Sequence, residues 1–466
     1  MIKELTIKGL RGFANEQIIR FAEPDNVNKG SGLTVIVGSN NAGKSTIIEG
    51  LMAISQMEAP TFTQGRRNLA AGDVVEITAT DINNKIRTIR SLRPGTSTAN
   101  VEKQDDSLEN MFILNSRRAF EPFFHNKQVL SRDDYKRYYN KLSPLRTSML
   151  SEFSTRLFQA ELHREKFNNM LQKVIHPVPE WSIDQQDNGG YFLKFTKHLS
   201  RHSHSSEGLG EGLVSLFCII DALYDSKPGS TIIIDEPELS LHPSLLRRLA
   251  QVFKEEARDK QIVISTHSPY FIDFSAIEVG ANIVRVYLEN EESRVAQLSD
   301  EFRKKIKGLR NNLYNPHILG LDAKEVFFLE DRIILVEGQD DVIYYPKIAQ
   351  ELQINIEGNF FGWGVGGASN MSIISRILKD LGYKKVIGIL DNDKPAEKEE
   401  LENEFTDYKY FVIPAKDVRT KEATKAREQV EGLLDDKNKA IRPEYKEDAT
   451  NILNDINQYL NLDTIQ

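Results

Sequence analysis

Short apolar runs of strand length alternate along the chain with longer segments in which apolar residues recur at helical spacing. The predicted strands comprise residues 2–8, 33–37, 231–234, 261–265, 332–336 and 385–390, with another near 360–361. The predicted helices comprise residues 45–52, 211–224, 369–381 and the segments that follow Pro243 and Asp340. This alternation predicts an α/β fold with parallel sheets in both halves of the chain.

The segments between these elements predict the domain organisation. Two strands are expected within 74–89, short strands within 182–195, a polar loop at 93–110 and a charged helical tail at 415–466. Residues 131–175 predict a helical insertion with a break at Pro144. A charged connector near 303–315 then separates two expected domains, 1–325 and 326–466.

Composition narrows the class of protein. A chain of 466 residues is too long for one core, and 40% hydrophobic with 27% charged residues is typical of a soluble globular protein. Since no apolar run approaches eighteen residues and the strand pattern starts at once, neither a membrane span nor a signal peptide is expected. The single cysteine, Cys218, lies in an apolar stretch, which fits a core position in a reducing cytoplasm.

The net charge of −8 is concentrated in the last third of the chain. Residues 331–466 contain 18 Lys and Arg against 26 Asp and Glu, and the remainder is balanced. Such a region repels nucleic acid unless bound cations reverse the local field. This is compatible with a metal-dependent nuclease, although a solvated acidic surface explains most of these charges equally well.

A glycine-rich segment, 38–45, lies between an apolar strand and an apolar helix, as a phosphate-binding loop requires. Its glycines allow backbone amides to approach phosphates, and the helix N-terminus adds positive potential. We expect Lys44 to reach the β- and γ-phosphates and Ser45 to bind Mg²⁺. The expected nucleotide-binding residues are Gly38, Asn40, Asn41, Gly43, Lys44, Ser45 and Thr46.

Two later strands end in polar residues that complete a site for hydrolysis. After 231–234 come Asp235, expected to orient the Mg²⁺ shell, and Glu236, expected to act as general base on water. After the strand 261–265 comes His267, expected to donate a hydrogen bond to the γ-phosphate. A lone histidine is usually structural, but its place at a third strand end favours the functional interpretation.

The order of these motifs resembles the ABC-type ATPases related to DNA-repair and SMC proteins. By that resemblance, segment 206–212 corresponds to the signature motif, with Ser206, Gly210 and Gly212 as expected contacts to nucleotide. The resemblance implies that two copies pair head to tail around two ATP molecules. Gln64 is a weak candidate for the glutamine loop, and Arg118 is either a phosphate contact or part of a surface ion pair.

The C-terminal domain carries a second constellation, made of carboxylates. Glu337 ends an apolar strand and Asp341 lies four residues on, in the next helix. Asp391 and Asp393 follow the strand 386–390, and their spacing predicts that both point to one side. Hard divalent cations prefer such oxygens, and two ions can stabilise both oxygens of an in-line displacement.

The order of motifs in this domain resembles that of a TOPRIM domain: Glu-Gly after a strand, then Gly-Gly-x-x-Asn, then Asp-x-Asp. With an ABC ATPase before it, the chain is similar over 1–435 to the OLD (overcoming lysogenisation defect) endonucleases, which use Mg²⁺ or Mn²⁺; several act against phage. The resemblance implies that Glu337, Asp341, Asp391 and Asp393 bind metal. It also implies a further acid, Glu431 or Asp435, with Lys437 or Lys416. Segment 414–419 is either site lining or the start of a helix.

These features favour an ATP-regulated, metal-dependent endonuclease for DNA, with RNA as a possible substrate. Expected cofactors are ATP with Mg²⁺ and one or two Mg²⁺ or Mn²⁺ ions in the TOPRIM site. Expected partners are a second copy of the chain, nucleic acid and a regulatory defence component. Basic patches at 136–141 and 303–310 either contact phosphates or are solvated helix faces. The alternatives are a sensor or scaffold whose TOPRIM domain only docks a partner, and a topoisomerase-like enzyme, for which a DNA-gate domain is missing.

Overall fold

The structure, a computed structural model, forms two compact units, Met1–Gln297 and Leu298–Gln466. The residues it describes are 1–56, 60–103, 108, 111–116, 123–124, 129–139, 153–187, 189–196, 203–205, 211–299, 321–328, 331–423 and 428–461. The sequence predicts a domain boundary at 325/326, and that boundary stays a prediction.

The first unit contains fifteen named strands and seven α-helices among its described residues. The strands are β1 (Ile2–Lys8), β2 (Gln17–Arg20), β3 (Leu33–Val37), β4 (Glu76–Asp81), β5 (Ile86–Ser91), β6 (Ala99–Lys103), β7 (Met111–Leu114), β8 (Phe123–Phe124), β9 (Glu180–Gln185), β10 (Tyr191–Thr196), β11 (Ser203–Ser205), β12 (Thr231–Asp235), β13 (Gln261–Ser265), β14 (Asn282–Glu289) and β15 (Glu292–Gln297). The helices are α1 (Lys44–Ser55), α2 (Arg132–Tyr139), α3 (Phe153–Leu162), α4 (Arg164–Gln172), α5 (Glu211–Tyr224), α6 (Pro243–Glu256) and α7 (Phe274–Glu278).

The central sheet of this unit has the strand order β15-β14-β3-β13-β12-β7. All pairings are parallel except that of the edge strand β15 with β14. Strands β3, β12 and β13 are buried at every position, which is why their sequences are continuous apolar runs. Because these three strands are neighbours and parallel, the loops that follow them meet at one edge of the sheet.

A second sheet, antiparallel, has the order β2-β1-β4-β5-β6. Helix α1 lies against both sheets, and one hydrophobic core joins residues of β1, α1 and β12, among them Leu5, Leu51 and Ile233. A third sheet joins β8, β9, β10 and β11 by antiparallel pairing. The predicted parallel sheet is confirmed, whereas the two antiparallel sheets were not predicted as such.

The second unit contains the strands β16 (Ile333–Val336), β17 (Asn359–Phe360), β18 (Val386–Leu390) and β19 (Lys409–Val412). Its helices are α8 (Leu321–Glu325), α9 (Gln339–Glu351), α10 (Met371–Asp380), α11 (Pro395–Glu404) and α12 (Lys446–Asn461). The strands form one parallel sheet in the order β17-β16-β18-β19. The α/β fold with a parallel sheet predicted for this half is thus confirmed.

Two predictions about irregular segments are wrong. The loop predicted at 93–110 contains β6, because Val101 packs on the core of the first unit and β5 supplies its hydrogen bonds. Among the described residues of the helical tail predicted at 415–466, only α12 and the short turn Pro443–Tyr445 are helical. The described residues of 415–442 are irregular, with Val418 and Leu433 buried in the core and the Thr420 hydroxyl donating to Leu434 O. In the described part of the chain, no helix has the length and apolar character to cross a membrane.

Candidate active sites

The phosphate-binding turn lies between β3 and α1 and has a backbone that only glycine adopts easily. Gly38 has φ 146° and Gly43 has φ 117°. A Cβ atom at Gly38 would lie 2.0 Å from the carbonyl oxygen of Val286 in β14. Both the dihedral angles and this close approach therefore require glycine at these positions.

Lys44 is buried at the start of α1, and its Nζ donates hydrogen bonds to Gly38 O and Ser39 O at 3.0 Å each. Burial lowers its pKa, while the nearby carboxylates of Glu236, Asp235 and Glu238 act in the opposite direction. The ammonium is therefore held inside the turn and close to the acidic residues at and after the end of β12.

The remaining expected nucleotide contacts surround this lysine. Ser45 is half-buried and Thr46 is buried in the first turn of α1, whereas Asn40 and Asn41 are exposed at the tip of the turn. Ser45 is thus accessible beside Lys44, the arrangement that a hydroxyl ligand of nucleotide-bound Mg²⁺ needs.

The ends of β12 and β13 bring the other predicted residues to this edge. Asp235 is paired in register with Ser265, which is paired with Ile36 of β3. His267 Nε2 lies 4.0 Å from Glu236 Oε1. Burial and the charge of Lys44 lower the pKa of His267, which keeps its imidazole neutral near pH 7. The structure thus places Lys44, Asp235, Glu236 and His267 together.

Glu238 belongs to the same site and was missed by the sequence interpretation. Its carboxylate accepts hydrogen bonds from the backbone amide of His267 and from the hydroxyl of Thr266. The only signal in the sequence is a second acid two residues after Glu236, which by itself indicates a solvated turn.

Two of the predicted signature residues, Ser206 and Gly210, lie outside the described residues. Gly212 is the second residue of α5, and a Cβ atom there would lie 2.2 Å from Ser240 O. The hydroxyl of Ser240 also donates to Glu211 Oε2 at 3.1 Å. The start of α5 therefore packs directly on the turn that follows Glu236 and Glu238.

A second site lies in the other unit, at the carboxyl ends of β16 and β18. Glu337 and Asp391 directly follow these neighbouring parallel strands. The backbone amide of Asp391 donates to Glu337 Oε1 at 3.0 Å, and Asp341 Oδ2 accepts from Gly338 N at 2.8 Å. These bonds fix the carboxylates of Glu337 and Asp341 and tie the backbone of Asp391 to Glu337, at the sheet edge and the first turn of α9.

Burial and mutual repulsion disfavour the ionised forms of these groups. Burial, followed by the charges of Glu337, Asp341 and Asp417, raises the pKa of Asp391 to about 8. Burial raises the pKa of Asp341 to about 7. The hydrogen bond from the Gly338 amide opposes this shift, and the charges of Asp417 and Glu337 add to it. The pKa of Glu337 is also raised, chiefly by burial. A cluster of this kind stores electrostatic energy that a bound cation would relieve.

Asp417 is a fourth carboxylate, buried beside the other three and not among the expected ligands. It accepts a hydrogen bond from Lys421 Nζ, and its loop is held by Asn392, which donates from its side chain to Pro414 O at 2.6 Å. The sequence predicts that segment 414–419 is either site lining or the start of a helix. In the structure this segment is irregular. Only the fold brings a residue this far along the chain to the end of β18.

The other two predicted metal ligands are more exposed. The side chain of Asp393 is 61% exposed, lies 3.7 Å from Lys394 and adds to the negative field at Glu337. Glu431 is 57% exposed and lies 3.4 Å from Arg442. The alternative acid, Asp435, accepts backbone bonds from Lys437 and Lys439 in a turn. The predicted metal role of Glu431 therefore stays a prediction.

The donor chemistry of this cluster fits a hard divalent cation, because all four inner groups are carboxylates. Within the described ranges, however, no three Asp, Glu, His or Cys side chains stand in an arrangement that could hold a metal ion. One Glu337 oxygen accepts from the Asp391 amide. Glu337, Asp341, Asp391 and Asp417 could therefore hold a cation only after side-chain rotation.

Comparison with known families matches both units. A model described as an AAA domain matches residues 4–207, and one described as AAA domain, putative AbiEii toxin, Type IV TA system matches 149–273. A model described as Overcoming lysogenization defect protein-like, TOPRIM domain matches 328–393.

Curated relatives include the OLD nuclease of Thermus scotoductus, 28% identical over 162 residues, which are 34% of this chain and 30% of that protein. Endonuclease GajA of Bacillus cereus is 25% identical over 221 residues, 45% of this chain and 35% of that protein. The matches thus span about a third of the length of these relatives.

Among solved structures, an SMC head bound to the C-winged helix domain of ScpA is 16% identical, with a TM-score of 0.41, covering 65% of this chain and 99% of that one. The SMC head domain from Thermotoga maritima is 15% identical, with a TM-score of 0.36, covering 64% and 99%. From the family matches, this chain joins an AAA-type ATPase domain to an OLD-like TOPRIM domain, the combination that its motifs predicted.

Proposed function

We propose that this chain is an ATP-binding and ATP-hydrolysing endonuclease of the OLD type that depends on divalent metal. The observation that carries the proposal is the convergence of Glu337, Asp341 and Asp391 on one sheet edge, where burial and mutual repulsion raise their pKa values. Two relatives named as nucleases support it.

In the ATPase site, Lys44 would exchange its bonds to Gly38 O and Ser39 O for phosphate oxygens. Ser45 and Asp235 would hold Mg²⁺, and Glu236 would accept a proton from the attacking water. A neutral His267 would donate from Nε2 to the γ-phosphate. The 4.0 Å between His267 and Glu236 leaves both groups able to reach one phosphate and its attacking water.

In the TOPRIM site, a bound divalent cation would polarise the scissile phosphodiester and make a water molecule more acidic. Glu337, Asp341, Asp391 and Asp417 would supply its oxygens, and Asp393 would extend the set toward solvent. Lys421, held by Asp417, is placed to offset negative charge near the site.

The proposal extends to assembly and role. Two copies would pair through their ATPase domains, with Ser206, Gly210 and Gly212 of one copy near the nucleotide of the other. DNA is the proposed substrate, and RNA is the alternative. The ATPase, or a second component of an anti-phage defence system, would gate the nuclease in the cytoplasm.

The test compares Asp391→Asn and Lys44→Ala with the unmodified protein. Linear, nicked, supercoiled and single-stranded DNA and an RNA are incubated with Mg²⁺ or Mn²⁺, with and without ATP. Asp391→Asn should abolish cutting but keep ATP hydrolysis, and Lys44→Ala should abolish hydrolysis. Glu399→Gln, an exposed change in α11, is the matched control. A folded Asp391→Asn protein that still cuts would remove the nuclease assignment.

A second candidate function is a sensor or scaffold in which the TOPRIM domain docks a partner. It is favoured by the lack, among the described residues, of a ready three-ligand arrangement. Calorimetric titration with MnCl₂ separates the two. Heat of binding that Asp391→Asn removes supports the nuclease, and no heat from the unmodified protein supports the scaffold.

A further inference from the structure

Glu238 lies in the turn after β12 and uses both carboxylate oxygens to hold the turn after β13. Its Oε1 accepts from the backbone amide of His267 at 2.6 Å, and its Oε2 accepts from Thr266 Oγ1 at 2.8 Å. These bonds join the loop that carries Glu236 to the loop that carries His267. They are short, and each has an ionisable acceptor, which makes such bonds stronger than neutral ones.

The same turn is tied to its neighbours by its backbone. Thr266 N donates to Ile36 O of β3 at 3.0 Å, and Glu236 N donates to Ser265 O at 2.7 Å. Ser268 N in turn donates to Thr266 Oγ1 at 2.9 Å, so the Thr266 hydroxyl links two further groups. Glu238 is therefore the side chain that completes a network whose other bonds come mainly from the backbone.

Carboxylate chemistry explains why glutamate occupies this place. An ionised carboxylate only accepts hydrogen bonds, and here two donors point at it from one side. A glutamine could accept one of them, but its NH₂ group would face the other donor. An alanine would leave the His267 amide and the Thr266 hydroxyl without this acceptor, which is costly in a buried position.

We propose that Glu238 is a positioning residue for His267, fixing its backbone so that the imidazole stays next to Glu236 and the γ-phosphate. This rests on the proposed ATP hydrolysis. Glu238 uses its two oxygens to hold the turn of His267, and the proton of the attacking water is assigned to Glu236. Its effect reaches the reaction through the 4.0 Å spacing of His267 Nε2 and Glu236 Oε1.

The kinetic test uses Glu238→Ala, Glu238→Gln, His267→Ala and the double variant Glu238→Ala/His267→Ala. We expect Glu238→Ala to lower kcat for ATP about 10- to 100-fold, which is less than the roughly 100- to 10,000-fold of a general acid or base, because the imidazole is displaced and not removed. KM should change by less than about threefold, because Lys44 keeps its position. The kcat of Glu238→Gln should lie between those of the unmodified protein and Glu238→Ala, since the glutamine side chain retains one acceptor oxygen.

The double variant separates positioning from a merely structural effect. If Glu238 acts through His267, the double variant should be no slower than His267→Ala alone. A double variant slower by the product of the two single effects would overturn the proposal, as would an unchanged kcat in Glu238→Ala. Glu23→Gln, an exposed change in the loop before β3, is the control.

Hydrogen exchange measured without nucleotide tests whether Glu238 fixes the turn of His267, even if the protein hydrolyses no ATP. The peptide that contains Ser265, Thr266 and His267 should exchange faster in Glu238→Ala than in the unmodified protein and in Glu23→Gln. Equal exchange would overturn the positioning role. If the unmodified protein hydrolyses no ATP but Glu238→Ala still exchanges faster, the proposed ATPase function is contradicted. The anchoring of this turn by Glu238 is then still supported.

Discussion

At the scale of single residues, Glu337, Asp341 and Asp391 show why strand-end acids could be predicted. Their positions follow from local rules. Glu337 and Asp391 directly follow buried parallel strands that end at one edge, and Asp341 lies in the first turn of the helix after Glu337. Glu238 and Asp417 follow no local rule. Glu238 bonds to residues 28 and 29 positions away, and Asp417 lies 76 positions from Asp341.

The raised pKa values of Asp391 and Asp341 predict how stability depends on pH without metal. The unfolded chain ionises these groups near pH 4, whereas the folded protein keeps them protonated until about pH 8 and about pH 7. Their contribution to stability is thus fully present below pH 4 and is lost as the pH rises toward 8.

Asp391→Asn should therefore raise Tm relative to the unmodified protein by a few degrees at pH 8 in EDTA. The difference should shrink as the pH falls toward 4 and also on adding Mn²⁺, which stabilises only the carboxylate form. Calorimetry across this pH range measures it. A Tm difference independent of pH would contradict the raised pKa of Asp391.

Gly364 gives a second prediction at this scale. Its φ is 83°, and a Cβ atom there would lie 2.7 Å from Gly338 O, beside Glu337. Gly364→Ala should lower the free energy of unfolding by at least about 2 kcal/mol, from strain and overlap together. Gly338 has φ −149°, and a Cβ atom there would have no heavy atom within 4 Å. Gly338→Ala should therefore lower the free energy of unfolding by less than Gly364→Ala. Urea unfolding compares them, and equal losses would contradict the overlap.

At the scale of elements, the long apolar runs and their helices were predictable, and short or contact-dependent segments were not. Helix α5 has the bounds that its apolar periodicity predicted, 211–224. Strand β6 instead depends on pairing with β5, and the irregular segment before α12 depends on hydrogen bonds between distant turns. Such segments have no periodicity of their own for a sequence to show.

A buried ion network joins α3 of the helical insertion to α5. Arg156, fully buried, donates to both carboxylate oxygens of Asp221, at 3.0 and 3.2 Å, and to Asp225 at 2.6 Å. Arg132 from α2 also donates to Asp225. The helix that follows the signature segment is thus held at its far end by the insertion.

Arg156→Met should lower the free energy of unfolding by about 3–5 kcal/mol, because it leaves Asp221 buried without its main partner. Arg156→Met/Asp221→Leu should recover part of that loss. Arg164→Met, which breaks a partly exposed pair with Glu161, should cost less than about 1 kcal/mol. Denaturant unfolding measures all three, and a loss below 1 kcal/mol for Arg156→Met would contradict the network's role.

At the scale of the whole molecule, each compact unit contains one of the two candidate sites. Ligands for the two sites should therefore stabilise separate parts of the protein. In calorimetry, ATP with Mg²⁺ should raise the transition of the first unit, and Lys44→Ala should remove that shift. Mn²⁺ without nucleotide should raise the transition of the second unit, and Asp391→Asn should remove it.

The same experiment tests whether the sites are independent. Asp391→Asn should leave the nucleotide-induced shift intact, and Lys44→Ala should leave the Mn²⁺-induced shift intact. Loss of both shifts in either variant would contradict the assignment of one site to each unit.

The hydrogen bonds from Lys44 to two backbone carbonyls have a consequence for the kinetics of capture. Since the ammonium already resides in the turn, an arriving triphosphate exchanges one set of oxygen acceptors for another, and no cation has to be recruited from bulk solvent. During association the Lys44 ammonium exchanges two backbone carbonyl acceptors for phosphate oxygens, while the backbone of the turn keeps its conformation. Its observed rate should rise linearly with nucleotide concentration in rapid-mixing experiments, without the plateau that a slow loop rearrangement would impose.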